Sequence, residues 1–359
     1  MKGRSLQQAS SLARRGWGRA PLRDNGVVMR RHVTTSAASR TAVVTGANSG
    51  LGKETVKELI KAGYDKVVMA CRNVETGADT RREIAEEVGG AEKMTVSPIN
   101  LSSLDSIRDF AGGIEQCDLL VNNAGVMLIP DLRRTEDGFE EHWGVNYISH
   151  YLLTSQLMEK LQRSPSARIV NISSAANSFG KIDLSDMDYT KNYDSWLAYS
   201  NSKLGNLMFT FELHKRLRAS GIENVSVNAV HPGLVKTNLG RYMNPAVTSV
   251  FMLLPEFFVL SPAAGARTQV GSFPSLSPFS TSDHFPCLSL FFARMKVDVA
   301  LSAELEGKSG KYYADQTFKF QPGTYAEETV VVSPLARDEN LSKSLWEYSE
   351  KVTQSQWGF

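Results

Sequence analysis

The sequence contains little cysteine and no long apolar run. Its 359 residues include three cysteines, Cys71, Cys117 and Cys287, which lie far apart. Their odd number and wide spacing argue against a disulfide framework or a metal site, and favour a reducing compartment. No stretch of about 18 or more apolar residues occurs, so we expect no transmembrane helix. The formal net charge is only +2, so we expect no nucleic-acid partner.

Acidic residues are almost missing from residues 1–40. This segment holds eight arginines and one lysine against a single acid, Asp24, and is rich in serine, alanine and threonine. It lacks the apolar core of a secretory signal. The composition is typical of an organelle transit peptide, with a disordered basic tail as the alternative. We therefore expect an organellar protein, and favour the mitochondrion over the chloroplast.

The remaining chain, residues 41–355, alternates β-branched apolar runs with amphipathic helical patterns. The predicted strands are 41–46, 66–71, 93–101, 118–125, 166–174 and 224–233. The predicted helices are 52–63, 75–90, 103–113, 144–162 and 198–221. This rhythm predicts a single α/β domain, a three-layer Rossmann-type doubly wound parallel sheet. In such a sheet all strands end at one edge, where ligands bind.

Two segments do not follow this rhythm. Residues 271–294 are rich in Ser, Pro and Phe and have no period, so we interpret them as an insertion in a surface loop. A gene-model artefact and a hydrophobic lid are the alternatives. Residues 247–260, "VTSVFMLLPEFFVL", are strongly apolar and interrupted by Pro255. They suit an apolar lid or a peripheral membrane contact, or else a core or dimer helix.

A glycine-rich stretch, "VTGANSGLGKE", follows the first strand. Gly46, Gly50 and Gly52 lie between that strand and a helix start. Unpaired amides and the dipole at a helix N-terminus favour an anion, and glycine lets the backbone approach it closely. The stretch therefore indicates a cofactor phosphate loop, although an ordinary turn would have the same glycines.

The second strand ends in "MACRN". An acid that binds the ribose of NAD is expected about 20 residues after the glycines, but Cys71 and Arg72 occur there instead. Arg72 can bind a 2′-phosphate through two hydrogen bonds, and Lys53 adds a second cation. The sequence thus predicts NADP(H), with a solvated loop charge as the alternative for Arg72.

Tyr199 and Lys203 are four residues apart on a predicted helix, so their side chains share one face. A nearby ammonium lowers the pKa of a phenol, and this makes tyrosine a usable acid or base. By itself the pair could equally be a surface pair.

Other polar residues converge on the same edge of the predicted sheet. Ser173 and Ser174 end the strand "RIVNISS", and "NNAG" (122–125) ends another. Asn146 is polar among apolar helix neighbours, which suits either a site residue or a satisfied core amide.

Taken in order, these motifs resemble the short-chain dehydrogenase/reductase family. They are T-G-x-x-x-G-x-G, N-N-A-G, the buried Asn, the Ser after a strand, Y-x-x-x-K and "HPG", and they span about residues 41–240. Within this family, the short segments "ACRN", "NNAGVM", "SKLGNLMF" and "SGKYY" are most similar to the retinol dehydrogenase branch. Light-dependent protochlorophyllide reductases share several of them.

The resemblance implies a role for each matching residue. Tyr199 would be the acid–base, and Lys203 would lower its pKa and hold the nicotinamide ribose. Ser174, rather than Ser173, would bind the substrate oxygen, and Asn146 would position a water. The loop 179–196 would lie near the substrate. The other implied cofactor residues are Gly46, Asn48, Ser49, Gly50, Leu51, Gly52, Arg72, Asn100 (where the family often has Asp), Leu101, Asn123, Ala124, Gly125, Pro232, Gly233, Val235 and Thr237.

The implied function is an NADP(H)-dependent oxidoreductase. It would move a hydride between nicotinamide and the carbonyl or alcohol of a lipophilic substrate, such as retinal, another aldehyde or a ketone. A homo-oligomer is compatible with this family. The alternatives are light-driven protochlorophyllide reduction and a non-catalytic NADP-sensing protein on the same fold.

Overall fold

The computed structural model describes residues 39–232, 299, 305–314 and 332–359. Several expectations from the sequence therefore lie outside the described residues. They are the basic segment up to residue 38, the apolar segment 247–260, the insertion 271–294, and the cofactor residues Gly233, Val235 and Thr237.

The described residues form one seven-stranded sheet in the order β3-β2-β1-β4-β5-β6-β7, and every neighbouring pair is parallel. The strands are β1 (Thr41–Thr45), β2 (Lys66–Cys71), β3 (Met94–Pro98), β4 (Leu119–Asn122), β5 (Ala167–Ile172), β6 (Val225–His231) and β7 (Lys311–Ala314). The chain leaves β1 toward β2 and returns to the other side of β1 as β4. This reversal opens a crevice at the carboxyl ends of β1 and β4.

Helices cover both faces of the sheet, which confirms the predicted three-layer fold. They are α1 (Gly50–Lys61), α2 (Val74–Val88), α3 (Leu104–Gly112), α4 (Glu141–Trp143), α5 (Ser149–Gln162), α6 (Ser195–Ala219) and α7 (Glu339–Thr353). A π-helical turn, Gly144–Ile148, joins α4 to α5.

Successive side chains of β1 divide between the two faces. Val43 packs in the core formed with α3, α5, α6 and α7, whereas Val44 packs in the core formed with α1 and α2. Every residue of β1 is buried, and its centre, Ala42–Val44, is apolar throughout. This is expected for a parallel sheet covered on both sides.

One strand and one long helix were not predicted from the sequence. The stretch "KYYA" forms the edge strand β7 beside β6. The C-terminal helix α7 was not identified, although Asp338 caps it by accepting a hydrogen bond from the Leu341 amide. Beyond residue 355 the chain still packs on the domain, because Trp357 Nε1 donates to Tyr151 Oη at 2.9 Å.

Among the described residues, no helix has the length and apolar character needed to span a membrane.

Candidate active site

Thr45 ties together the two loops at the crevice. Its hydroxyl oxygen accepts hydrogen bonds from the amides of Asn123 (2.9 Å) and Ala124 (3.0 Å), and its carbonyl accepts from Asn123 Nδ2 at 2.8 Å. The glycine loop after β1 and the "NNAG" loop after β4 are therefore held as one rigid surface. Gly46, Asn123, Ala124 and Gly125, all predicted cofactor residues, meet there.

The glycine loop has the geometry of an anion cradle. Gly46 (φ 64°) and Gly50 (φ 51°) adopt left-handed conformations that favour glycine. A Cβ on Gly52 would overlap the carbonyl oxygen of Gly46, so the helix start packs tightly on the loop. Ser49 makes no capping hydrogen bond through its side chain, and the first turn of α1 holds no acid. The helix start therefore suits the pyrophosphate of a dinucleotide.

At the end of β2, the two residues that replace the expected acid behave differently. Cys71 is buried, and its sulfur accepts hydrogen bonds from the amides of Ala47 and Asn48; burial raises the pKa of its thiol to about 11. Arg72 is exposed, and no ion pair of this residue is found in the described part of the chain. The thiol thus supports the glycine loop, and Arg72 lies exposed at the end of β2.

Lys53 forms an ion pair with a residue of the neighbouring helix. Its ammonium pairs with Glu83 of α2 at 2.5 Å, so much of its charge is already balanced. This contact was not foreseen from the sequence, because Lys53 and Glu83 lie on different helices. Of the two cations predicted for this site, Lys53 is therefore the one with an ion-pair partner in the described part of the chain.

The predicted adenine-side residues follow β3. The Asn100 side chain donates to Glu136 Oε1 at 2.6 Å and accepts from the Ser102 amide at 3.1 Å. Its amide therefore shapes the loop around the half-buried Leu101. Asn48, across the crevice, donates to Thr76 Oγ1 at 3.2 Å and so joins the glycine loop to α2.

Tyr199 lies on α6 beside the end of β5. Burial raises the pKa of its phenol to about 12, and the side chain of Ser174, which directly follows that strand, opposes this rise. Ser173 donates instead to the carbonyl of Lys203 at 2.8 Å. Of the two serines, Ser174 is the one whose side chain affects the pKa of Tyr199.

Lys203 is buried one turn after Tyr199. Its Nζ donates to the carbonyl of Ile172 at 3.0 Å and lies 5.7 Å from the centre of the Tyr199 ring. Burial lowers the pKa of this amine to about 8. The expected fall in the pKa of Tyr199 is not found, because burial of the phenol raises this pKa more than Ser174 lowers it.

Asn146 sits in the π-helical turn, where such turns often mark functional positions. Its side chain accepts from the Val126 amide at 2.8 Å and donates to the Val126 carbonyl and to Ser202 Oγ, both at 2.9 Å. A Cβ on Gly125 would lie 3.1 Å from Asn146 Oδ1 and 3.7 Å from Lys203 Nζ. Asn146 therefore fixes the loop after β4 against α6, next to Lys203.

His150 was missed from the sequence. Burial lowers its pKa to about 4, so the ring is neutral. Nδ1 lies 3.0 Å from the Asn146 carbonyl and must carry the proton, so Nε2 accepts from Thr45 Oγ1 at 2.9 Å. This histidine links the cofactor loops to the π-helical turn. The signal in the sequence was that His150 follows Asn146 by four residues, which places both on the same side of a helix.

A second unpredicted group borders Tyr199. His142 and Glu140 are fully buried, and Nδ1 of the histidine lies 2.7 Å from Glu140 Oε1. The His142 ring lies 6.2 Å from the Tyr199 ring, edge to face. Tyr193, from the loop 179–196, donates to the Ile129 carbonyl at 2.8 Å. The loop predicted to lie near the substrate is therefore anchored beside Tyr199.

Comparison with known proteins agrees with this geometry. The family model for short chain dehydrogenases matches residues 40–248, more than half of the chain. The chain belongs to this family. It is an oxidoreductase acting on alcohol and carbonyl groups, and the crevice fits a nicotinamide cofactor.

Similar proteins include retinol dehydrogenases. Mouse retinol dehydrogenase 13 is 38% identical, over 87% of this chain and 83% of that protein. Human retinol dehydrogenase 11 is 37% identical, over 88% and 86%. A crystal structure of an uncharacterised Mycobacterium paratuberculosis protein has a TM-score of 0.63 and 31% identity, and covers 90% of this chain and 96% of its own. NADPH-bound carbonyl reductase from chicken fatty liver shares the fold at a TM-score of 0.51 and 21% identity, over 77% and 96%.

Proposed function

We propose that the protein is an NADP(H)-dependent enzyme that interconverts a lipophilic carbonyl compound and its alcohol. The observation that carries the proposal is the placement of Ser174 beside the buried phenol of Tyr199, with Lys203 Nζ 5.7 Å from the centre of the Tyr199 ring. These groups lie at the carboxyl edge of the sheet, where the loops after β1 and β4 form the cradle for the dinucleotide.

Tyr199 is suited to donate a proton. With a pKa of about 12, its phenol is protonated at neutral pH, and the alkoxide formed from a carbonyl is a stronger base than a phenolate. Ser174 acts on the same phenol, so one substrate oxygen can contact both groups and is stabilised as charge develops. The cofactor, when bound, supplies or accepts the hydride. The protonated phenol is the form that carbonyl reduction requires, and reduction is the proposed direction because NADPH pools are kept reduced.

Lys203 stabilises the tyrosine after the proton leaves. Its pKa of about 8 keeps most of the amine charged at pH 7, and the ammonium favours a phenolate close by. The Ile172 carbonyl holds the amine in place. Asn146 contributes by holding the loop after β4 against α6. This fixes the position of Lys203 relative to the nicotinamide side of the crevice.

Arg72 is the basis for proposing NADP(H) rather than NAD(H). It is exposed at the end of β2, the place of the ribose-binding acid in NAD-specific sheets, and Lys53 is already paired. Two charge-assisted hydrogen bonds to a 2′-phosphate would favour NADP(H). We expect Arg72→Ala to raise KM for NADPH by about 10- to 100-fold, the loss of one or two such bonds, with little effect on NADH. Arg82→Ala is the control, because Arg82 pairs with Asp79 on the exposed side of α2.

The lipophilic substrate is proposed from the retinol dehydrogenase relatives. The proposed location is an organelle, the mitochondrion in preference to the chloroplast, on the composition of residues 1–40. Homo-oligomer formation and peripheral membrane contact remain predictions.

The proposal is tested by assaying the full chain in the dark with NADPH and NADH against retinal, alkyl aldehydes, steroids and quinones. Tyr199→Phe should lower kcat by at least about 100-fold, the usual contribution of a general acid. Tyr64→Phe is the matched control, since Tyr64 is buried between α1 and β2 under Arg40. Full turnover by Tyr199→Phe would refute the assigned role. Activity on protochlorophyllide under illumination alone would select the light-driven alternative, and cofactor binding without any turnover would select a sensor.

A further inference from the structure

We propose that Phe179 and Trp196 form an apolar platform that receives the hydrocarbon chain of the substrate. The inference deepens the proposed function and rests on it. Four large hydrophobic side chains are strongly exposed in the described part of the chain, and Phe179 (59%) and Trp196 (43%) are two of them. These two are also in contact with one another, with ring centres 5.8 Å apart.

The platform begins at the catalytic tyrosine. Trp196 lies on α6 one turn before Tyr199, and the two ring centres are 6.1 Å apart. Phe179 ends the short 3₁₀ turn Ala175–Phe179, which directly follows Ser174. The aromatic pair thus joins the two elements that supply the reacting hydroxyls. A carbonyl held between Ser174 and Tyr199 can extend its chain over Trp196 and then Phe179.

The platform rests on fixed backbone. A Cβ on Gly180 would lie 2.8 Å from Cβ of Leu204, so the chain after Phe179 is pressed against α6. The Lys181 amide donates to Asn201 Oδ1 at 2.6 Å, and Asn201 Nδ2 donates to Tyr189 Oη at 2.8 Å. The start and the middle of the loop 179–196 are therefore anchored to α6, which also carries Trp196, and both rings keep their position relative to Tyr199.

The chemistry of the platform selects the kind of substrate. Aromatic rings left exposed at an active site gain by being covered with an apolar ligand, since burial of hydrocarbon is favourable and additive per methylene. Neither ring brings a charge, and the indole has only a single N–H. We therefore assign the platform to a long unbranched or polyene chain on the carbonyl carbon. Short polar carbonyl compounds would reach Tyr199 without touching the pair.

The test compares decanal with butanal, in the full chain at saturating NADPH, without lipid and with substrate below its solubility limit. The measured quantity is the ratio of kcat/KM for decanal to kcat/KM for butanal. Phe179→Ala and Trp196→Ala should each lower this ratio by about 10-fold, the effect of losing apolar contact with one or two methylenes, mainly through KM for decanal. Trp196→Phe keeps a ring and should recover most of the loss. Val74→Ala, another exposed apolar residue, is the control and should leave the ratio unchanged.

Calorimetric binding of octanamide and butanamide separates this inference from the proposed function. These amides can occupy the site but cannot accept a hydride. If no carbonyl compound is turned over, the proposed function fails, while weaker octanamide binding by Phe179→Ala would still support the platform. An unchanged ratio and unchanged octanamide binding in both alanine variants would overturn the platform. An equal loss of kcat/KM for both aldehydes would also overturn it. If the alanine variants changed only the binding of phosphatidylcholine vesicles, the platform would be overturned as well, and the pair would be a membrane contact.

Discussion

Replacement of Lys203 by methionine should stabilise the folded domain while it abolishes turnover. The amine is buried, and burial lowers its pKa from 10.5 to about 8. Because the folded state disfavours the ammonium and the unfolded chain does not, the protein gives up stability at neutral pH to keep a charge beside Tyr199. Methionine has a similar length and carries no charge, so it removes that cost.

The magnitude follows from the two pKa values. At pH 7 the gap between 10.5 and about 8 corresponds to roughly 3 kcal/mol against folding. The variant also loses the hydrogen bond from Nζ to the Ile172 carbonyl, which is worth about 1 kcal/mol. That carbonyl is not left unsatisfied, because Asn206 Nδ2 also donates to it at 3.2 Å. The expected net gain is therefore about 2 kcal/mol at pH 7.

The pH dependence gives the gain a recognisable signature. The folded-state pKa lies below the unfolded one, so the cost is complete below about pH 8 and disappears as the pH rises toward 10.5. Urea unfolding of both proteins at pH 7 and pH 10 should show the advantage of Lys203→Met shrinking. Lys57→Met is the control with the opposite sign. Burial lowers the pKa of Lys57, but its contacts with Glu87 and Glu54 outweigh this and raise the pKa overall, so the loss of this lysine should destabilise the protein.

A Lys203→Met variant less stable than the parent at pH 7 would refute the reasoning. So would a difference in stability that is the same at pH 7 and pH 10.

Three further outcomes are expected. The rate of carbonyl reduction, measured as kcat/KM, should fall as the pH rises through about 8, because Lys203 loses its charge there while the phenol of Tyr199 stays protonated; a flat profile to pH 10 would contradict this. Gly52→Ala should raise KM for NADPH by at least about 10-fold, since its Cβ would overlap the Gly46 carbonyl, whereas Gly112→Ala, with open space around it, should not. Thr45→Val should weaken NADPH binding by about 10-fold, the loss of about one net hydrogen bond, because two amides of the neighbouring loop lose their acceptor; unaltered binding in isothermal titration would contradict it.

The local pattern of the sequence was enough for the first six strands and the order of the site motifs. Parallel strands buried on both faces read as apolar runs, and the helix between two of them shows a 3.6-residue period, so each βα unit is visible within a short window. The strand β7 could not be predicted because it is only four residues long and begins with a lysine. Its residues form a strand only through pairing with β6. The helix α7 is a similar case, since Trp346 is covered by residues from α5 and α6.

Contacts between residues that are distant along the chain could not be predicted from the sequence. Lys53 was taken as free for the 2′-phosphate, yet the packing of α1 on α2 brings Glu83 to it. The pKa of Tyr199 was expected to fall because Lys203 is four residues away, yet the depth at which α6 is buried raises it. His150 looked like an ordinary helix residue until the fold placed it between Thr45 and the Asn146 carbonyl.

The sequence by itself determined the family, the doubly wound sheet and the identity of the residues that gather at its carboxyl edge, because these depend on spacing along the chain. Only the tertiary structure decided that Glu83 pairs with Lys53, that Ser173 donates to the Lys203 carbonyl, and where Phe179 and Trp196 lie. The physical reason is that hydrogen bonds, ion pairs and desolvation act through space, between residues that the fold brings together from distant parts of the chain.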